Sequence, residues 1–301
     1  MADQLQPESA ESNVLQGYLA AGVTIVVWAS AFAGIRFGLE SYSPEAMALL
    51  RYIVASAVLI VYALITRMPL PDWRDLPQLA LMGFLGFTLY NLGLNAGEVT
   101  VSAGVASLLI ASESVIIALI AVFFMKEKLS LLGWVGIFLS FIGVAVISLI
   151  GEDGLYLDPG AILILIAAIG NAFYITGQKA MLKKYGARAF VTYALWLGTL
   201  FMLIFLPQLL NEIPDVTPEA TLAVIYMGIF PGVIGYIAWS FALSRLPVSI
   251  AGSLLYLIPA ISMLIAWIWL GEVPGISALL GGTMIIAGVL LVHKKGNVPV
   301  L

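Results

Sequence analysis

Glu113 and Arg51 are the two side chains in this sequence best placed to do chemistry, because each interrupts a long apolar run. Glu113 stands near the middle of the run 101–124, between Ser112 and Ser114. An ionisable group at that depth in a bilayer is costly unless it is paired, hydrated or protonated. It reads either as a proton-coupling or amine-binding carboxylate, or as a neutral or salt-bridged structural acid, with Arg51 as one candidate partner. Arg51 lies about two turns into the run 44–66. It can hold a substrate carboxylate bidentately, tie helices together, or snorkel to the interface.

Polar and aromatic residues at helical spacing surround these two. Asn91 and Asn95 are four apart and share a helix face with Phe87 and Tyr90 nearby. Ser30 and Asn171 fall at corresponding places in two other runs, close to Trp28 and Tyr174. Tyr236 and Trp239 follow Gly232 and Gly235, glycines that admit either a bulky ligand or a neighbouring helix. Tyr256 precedes Pro259, whose ring frees a backbone carbonyl about one turn earlier that must be satisfied inside the protein. Each is a candidate to line a cavity or shape its movement, with interhelical hydrogen bonding and plain packing as the competing reading.

Other chemistries are excluded. The chain has no Cys and one His, His293, at the end of the last apolar run, so thiolate chemistry and multi-His metal sites cannot be built. Gly83-Phe-Leu-Gly86 lacks the Lys-Ser/Thr of a phosphate loop, so the chain is not an ATPase by itself. No cofactor is expected and no enzyme. Thirteen basic against 17 acidic side chains offer no basic footprint for nucleic acid.

The elements that must position these residues are membrane helices. Hydrophobic residues make up 62% of the 301 and charged residues 10%, too few charges to cover a water-facing surface. Mean hydropathy is +1.07. Apolar runs of spanning length fall at about 17–37, 44–66, 75–96, 101–124, 129–150, 159–182, 187–208, 218–240, 249–270 and 276–293. Ser43-Pro44-Glu45, Asp158-Pro159 and Thr217-Pro218-Glu219 put a capping side chain before a proline at the first helical position. The polar N-terminus lacks the basic region of a signal peptide, so the first run is expected to stay as a span. The expected fold is all-α and polytopic, with ten transmembrane helices.

Loop charges orient the chain. Arg67, Arg74, Lys126, Lys128, Lys179, Lys183, Lys184, Arg188, Arg245, Lys294 and Lys295 gather on one side. Glu40, Glu98, Glu152, Asp153, Asp158, Glu212 and Asp215 gather on the other, with only Arg36 among them. The basic side is expected to be cytoplasmic, with both termini inside.

The chain also repeats itself. Trp28-Ala-Ser-Ala-Phe32 matches Ile169-Gly-Asn-Ala-Phe173 at an offset of 141, and Tyr52 meets Tyr193. At an offset of 145, Met82-Gly83 meets Met227-Gly228, and Phe124-Met-Lys-Glu127 meets Trp269-Leu-Gly-Glu272. Gly136 and Gly143 meet Gly281 and Gly288 at the same offset, and these small residues read as close helix packing within the protein. A unit of five spans enters the membrane from the opposite side when repeated. The organisation expected is a tail at 1–16, repeats at 17–150 and 159–293, and a tail at 294–301. Such inverted repeats are the build of secondary transporters, with the substrate near the midplane between them.

These stretches, with Arg51-Tyr52, Ser102-Ala-Gly-Val-Ala-Ser-Leu-Leu109, Tyr256-Leu-Ile-Pro259 and Leu270-Gly-Glu272, resemble the drug/metabolite transporter superfamily, specifically its EamA family, from about residue 15 to 293. The resemblance implies a plasma-membrane exporter of small metabolites, amino acids first, working by alternating access. Helices 1–4 and 6–9 would surround the cavity, with helices 5 and 10 at the periphery. Carriers of lipophilic drugs or nucleotide sugars, and a non-transport scaffold, are the alternatives. The partners expected are a small-molecule substrate and membrane lipids, with proton coupling and facilitated diffusion as the alternatives for the driving force and the monomer as the working unit. The family often has proline in helix 4 as in helix 9. Here Ser114 stands opposite Pro259, a departure that bears on whether helix 4 bends.

Overall fold

The computed structural model describes residues 7–126, 129–151, 154–155, 157–243, 245–246 and 254–295. Glu127, Lys128, Glu152, Asp153, residues 249–253 of the expected ninth span and the tail from 296 lie outside them, as do the side chains of Lys179, His293, Lys294 and Lys295.

The fold is an all-α bundle. Its elements are α1 (Pro7–Gly38), α2 (Pro44–Thr66), α3 (Trp73–Gly97), α4 (Ala103–Phe124), α5 (Leu131–Leu149), α6 (Pro159–Gly177), α7 (Ala180–Glu212), α8 (Pro218–Ala242), α9 (Leu255–Leu270) and α10 (Ile276–Val292). The first eight are long and apolar enough to cross a membrane, and α9 and α10 are shorter apolar helices. A two-residue antiparallel pair, Ile150–Gly151 with Gly154–Leu155, follows α5. Helix α1 begins at Pro7, well before its apolar stretch, so the polar residues ahead of the span continue as helix.

The caps form as the residue types require. Ser43, Asp158 and Thr217 accept from the backbone N–H groups of Ala46 (3.3 Å), Gly160 (2.8 Å) and Ala220 (3.3 Å), each ahead of a proline.

Among the described residues five helices are irregular inside, among them α7, which is kinked at Gly186 (φ 74°, ψ 161°) and tightens to a 3-10 turn at Leu203–Phe205. Both α3 and α8 contain a π-helical turn, at Phe84–Leu89 and Phe230–Ile234. Such a turn rotates the face that follows it. Helix α4 is broken at Ser112 although it has no proline: one segment ends at Ala111 and the next starts at Glu113. Ser112 Oγ donates to the Leu109 carbonyl at 2.6 Å, occupying an acceptor of the last turn. Helix α9 changes from a 3-10 turn, Leu255–Leu257, to α-helix at Ile258, with buried Pro259 in its first turn.

Glycines set the closest approaches. A methyl group on Gly136 would lie 2.5 Å from the Gly288 carbonyl oxygen, and one on Gly143 would lie 2.5 Å from that of Gly281. Helices α5 and α10 therefore pack backbone to backbone, as their small residues suggested. Gly198 brings α7 onto the Gly83 carbonyl of α3, and Gly228 brings α8 onto the Arg51 carbonyl of α2. The largest fully buried side chains include Phe87, Phe190, Met47 and Leu49, while Leu64, Ile204 and Ile268 face outward.

Each end of the bundle is tied by polar contacts. At one end Arg36 bridges Glu272 at 3.3 Å, Glu212 accepts from the Ser43 N–H at 2.9 Å, and Thr100 donates to Asp158 at 2.7 Å. At the other, Asp75 takes Lys184 and the Tyr185 hydroxyl, and Tyr193 donates to the Pro69 carbonyl.

Candidate functional site

A buried polar pair, a partly buried one and an aromatic wall meet in the bundle core. Arg51 of α2 is 8% exposed, and its Nη1 donates to Asn91 Oδ1 of α3 at 3.3 Å. Asn91 Nδ2 donates in turn to the Tyr52 hydroxyl at 2.7 Å and to the Phe87 carbonyl at 2.8 Å. Phe87 lies in the π-turn of α3, so Asn91 satisfies a carbonyl where the helical register changes. The Arg51 guanidinium sits 5.6 Å from the Tyr52 ring centre, and its Nε finds no partner among the described residues.

Glu113 opens the second half of α4, also 8% exposed. Its carboxylate accepts from Asn171 Nδ2 of α6 at 2.9 Å. Among the described residues no ion pair joins Glu113 to Arg51, so of the alternatives for Glu113 the one that pairs it with Arg51 is not what the fold forms. The break at Ser112 gives Glu113 a helix N-terminus, whose orphan N–H groups and dipole favour negative charge. Tyr90 lies within electrostatic reach of both Glu113 and Arg51.

The aromatic wall runs from α1 to α6. Trp28 packs edge-on against Tyr236 at 5.3 Å and tilted against Trp239 at 6.0 Å. Tyr236 meets Phe87 at 6.0 Å, and Phe87 meets Tyr52 at 5.8 Å and Tyr174 at 5.6 Å. Trp28 Nε1 donates to the Pro231 carbonyl of the α8 π-turn at 3.2 Å. A methyl on Gly235 would lie 2.5 Å from Trp28 Nε1, so this glycine makes room for the indole. Gly232 packs toward Ala55 of α2.

Thus Trp28, Arg51, Phe87, Tyr90, Asn91, Tyr174, Tyr236 and Trp239 are brought together, with Glu113 and Asn171 paired beside them. Three expected members sit elsewhere. Ser30 contacts the Tyr226 hydroxyl at 2.8 Å and ties α1 to α8. Asn95 donates to the Pro44 carbonyl at 3.1 Å and ties α3 to the start of α2. Tyr256 hydrogen-bonds Ser114 and packs with the cluster around Val115 and Ile285. Tyr52 is the member that reading by residue type passed over, though it follows Arg51 directly. Between α4, α5 and α6 lies an apolar groove of about 380 Å³, open to the outside of the bundle at Phe123, Phe141 and Phe173 and reaching Ser112.

Comparison with known proteins agrees with this architecture. The profile of the EamA-like transporter family matches twice, at residues 15–149 and 158–293. The Bacillus subtilis transporter YdfC is 41% identical over 285 residues, covering 95% of this chain and 93% of its own. A Streptantibioticus cattleyicolor protein named "Probable terminal-alkyne amino-acid exporter" is 38% identical over 273 residues, covering 91% and 92%. The Escherichia coli inner membrane transporter YedA is 28% identical, covering 91% and 90%. A solved crystal structure superposes with a TM-score of 0.62 at 20% identity, covering 93% of this chain and 96% of that one, a likeness of fold. The chain belongs to the EamA-like transporter family of the drug/metabolite transporter superfamily, as a multi-pass plasma-membrane protein that carries small metabolites by secondary transport.

Proposed function

We propose that the protein exports amino acids or close analogues by alternating access, through ten spans arranged as two inverted five-helix repeats with both termini in the cytoplasm. The observation that carries the substrate reading is the pairing of Arg51 with Asn91 and of Glu113 with Asn171 beside the Trp28–Tyr236–Phe87 wall. One buried cation and one buried anion fit the carboxylate and amine of a zwitterion, and the aromatic wall fits its side chain. Both charges rest on neutral amides, and among the described residues neither is locked in a salt bridge that substrate would have to break. The relative named as an exporter of a terminal-alkyne amino acid supports the same class.

The repeat reading has support at corresponding positions. The half-helices starting at Glu113 and Ile258 are 145 residues apart, as are the left-handed caps at Lys126 and Gly271. The π-turns of α3 and α8 start 146 apart. Gly136 meets Gly288 while Gly143 meets Gly281, the reciprocal contact that a pseudo-twofold produces.

Purified protein in liposomes should exchange labelled amino acids. No exchange across a broad amino-acid panel, with flux of a nucleotide sugar or a lipophilic cation, would overturn this substrate class. The apolar groove beside Ser112 favours the lipophilic compound as the second reading.

A further inference from the structure

Glu98 is the first residue beyond α3 and is fully buried. Neither of its carboxyl oxygens has a hydrogen-bond partner among the described residues. One turn earlier, near the end of α3, buried Asn95 has no donor to its Oδ1 among the described residues. Arg36 is close, yet its N–H groups go elsewhere. Its Nε faces Glu272 at 3.3 Å, and its Nη1 donates to the main-chain carbonyls of Glu98 (2.7 Å) and Val99 (2.9 Å). The second oxygen of Glu272 accepts from the Ala103 N–H at 3.0 Å. An ion pair between α1 and the turn after α9 therefore lies beside a buried carboxyl that it does not neutralise directly.

A buried, unpartnered carboxylate is among the least favourable groups a protein can hold, and a proton removes that penalty. The charged and titratable groups within electrostatic reach are Glu272, Arg36, Arg51 and Tyr90. Burial first and Glu272 second push the Glu98 carboxyl well above the usual carboxylate range, against the smaller pull of Arg36 and Arg51. Protonation also makes Glu98 a donor, about one turn from the Asn95 Oδ1 that has no donor among the described residues.

We propose that Glu98 is a proton-binding site of the gate at this end. It takes one proton from water as the Arg36–Glu272 bridge closes beside it, and returns that proton when the bridge opens. Nothing else is exchanged: the carboxylate becomes the acid, and the acid the carboxylate. Closure and proton binding are then linked, so acid favours the closed gate. The proposal rests on the reading of this end as the outer gate of an alternating-access carrier, and it adds a second protonatable group to Glu113.

The cysteine-free sequence permits a direct test. Spin labels on Val99→Cys and Val273→Cys, whose side chains are exposed, report the width of the gate in the full-length protein without any substrate. The short-distance population should dominate in acid and fall as pH rises, with a midpoint above the ordinary carboxylate value of about 4.3. Glu98→Gln, which copies the protonated acid, should hold the short distance at every pH. Glu98→Ala, which leaves no charge behind, serves if the glutamine protein is not recovered folded. A distance distribution independent of pH overturns the proposal, as does a response with the same midpoint in the Glu98 variants. Failure of amino-acid exchange leaves this measurement intact, so the two readings fail separately.

Discussion

Asn91 binds three neighbours at once, accepting from Arg51 and donating to Tyr52 and to the Phe87 carbonyl. Replacing it by leucine leaves buried polar groups unpaired on two helices. Asn91→Leu should lower stability by about 1–3 kcal/mol, read as a lower thermal midpoint in detergent. Asn95→Leu breaks only the bond to the Pro44 carbonyl and should cost less. Glu113→Gln can still accept from Asn171, so the fold should survive. If Glu113 holds the substrate amine, the exchange KM should rise at least tenfold, about 1.4 kcal/mol of binding, with little change in thermal midpoint. Unchanged KM and pH response would make Glu113 structural. Glu98 differs in its pH dependence. Its folded carboxyl is held above the unfolded value, so the native state binds more protons between the two. Its contribution to stability is present in acid and is lost as pH rises through the folded value. The thermal midpoint of Glu98→Gln should therefore exceed that of wild type by a margin that widens with pH. A constant margin would count against a raised carboxyl.

At the scale of elements, the apolar runs and their caps could be read in advance because both signals are local. Ser43, Asp158 and Thr217 cap their helices as their residue types require. The π-turn of α3 could not be read, since Phe84-Leu-Gly-Phe87 carries no local signal that distinguishes π from α, whereas the turn of α8 has Pro231 inside the run 218–240 as a local sign of an irregular helix. The break in α4 escaped for a related reason. Proline was the expected cause of a bend, and here a serine hydroxyl on the Leu109 carbonyl stands at the break instead. The α5–α10 contact was legible as small residues, but its partners were not. Gly143→Val would drive side-chain carbons into the Gly281 carbonyl and should cost about 1–3 kcal/mol by overpacking. Both helices pack away from the aromatic wall, so recovery and thermal stability should fall while exchange KM stays near wild type. A selective change in KM would place this interface in the transport pathway.

At the scale of the whole molecule, the two ends are held by separate ion pairs. Arg36 with Glu272 ties one end, and Asp75 with Lys184 and Tyr185 ties the other. A carrier that alternates must release one while keeping the other. Asp75→Asn weakens only the Lys184 end. It should raise labelling of single cysteines buried behind that end from the cytoplasmic side, and leave labelling from the outside unchanged. Increased labelling from outside would reverse the proposed orientation. Membrane character, long apolar helices, caps, duplication and family were all determined by the sequence alone, because hydropathy and capping act over one or two turns of chain. The choice of partner for each buried polar group was decided only in three dimensions. Glu113 met Asn171 and not Arg51, Ser30 and Asn95 became ties between helices, and Glu98, expected as a loop acid, was buried. The physical reason is rotation. Which face a helix presents depends on the π-turns within it and on the glycines that set how closely its neighbour approaches, and neither is visible in a count of apolar residues.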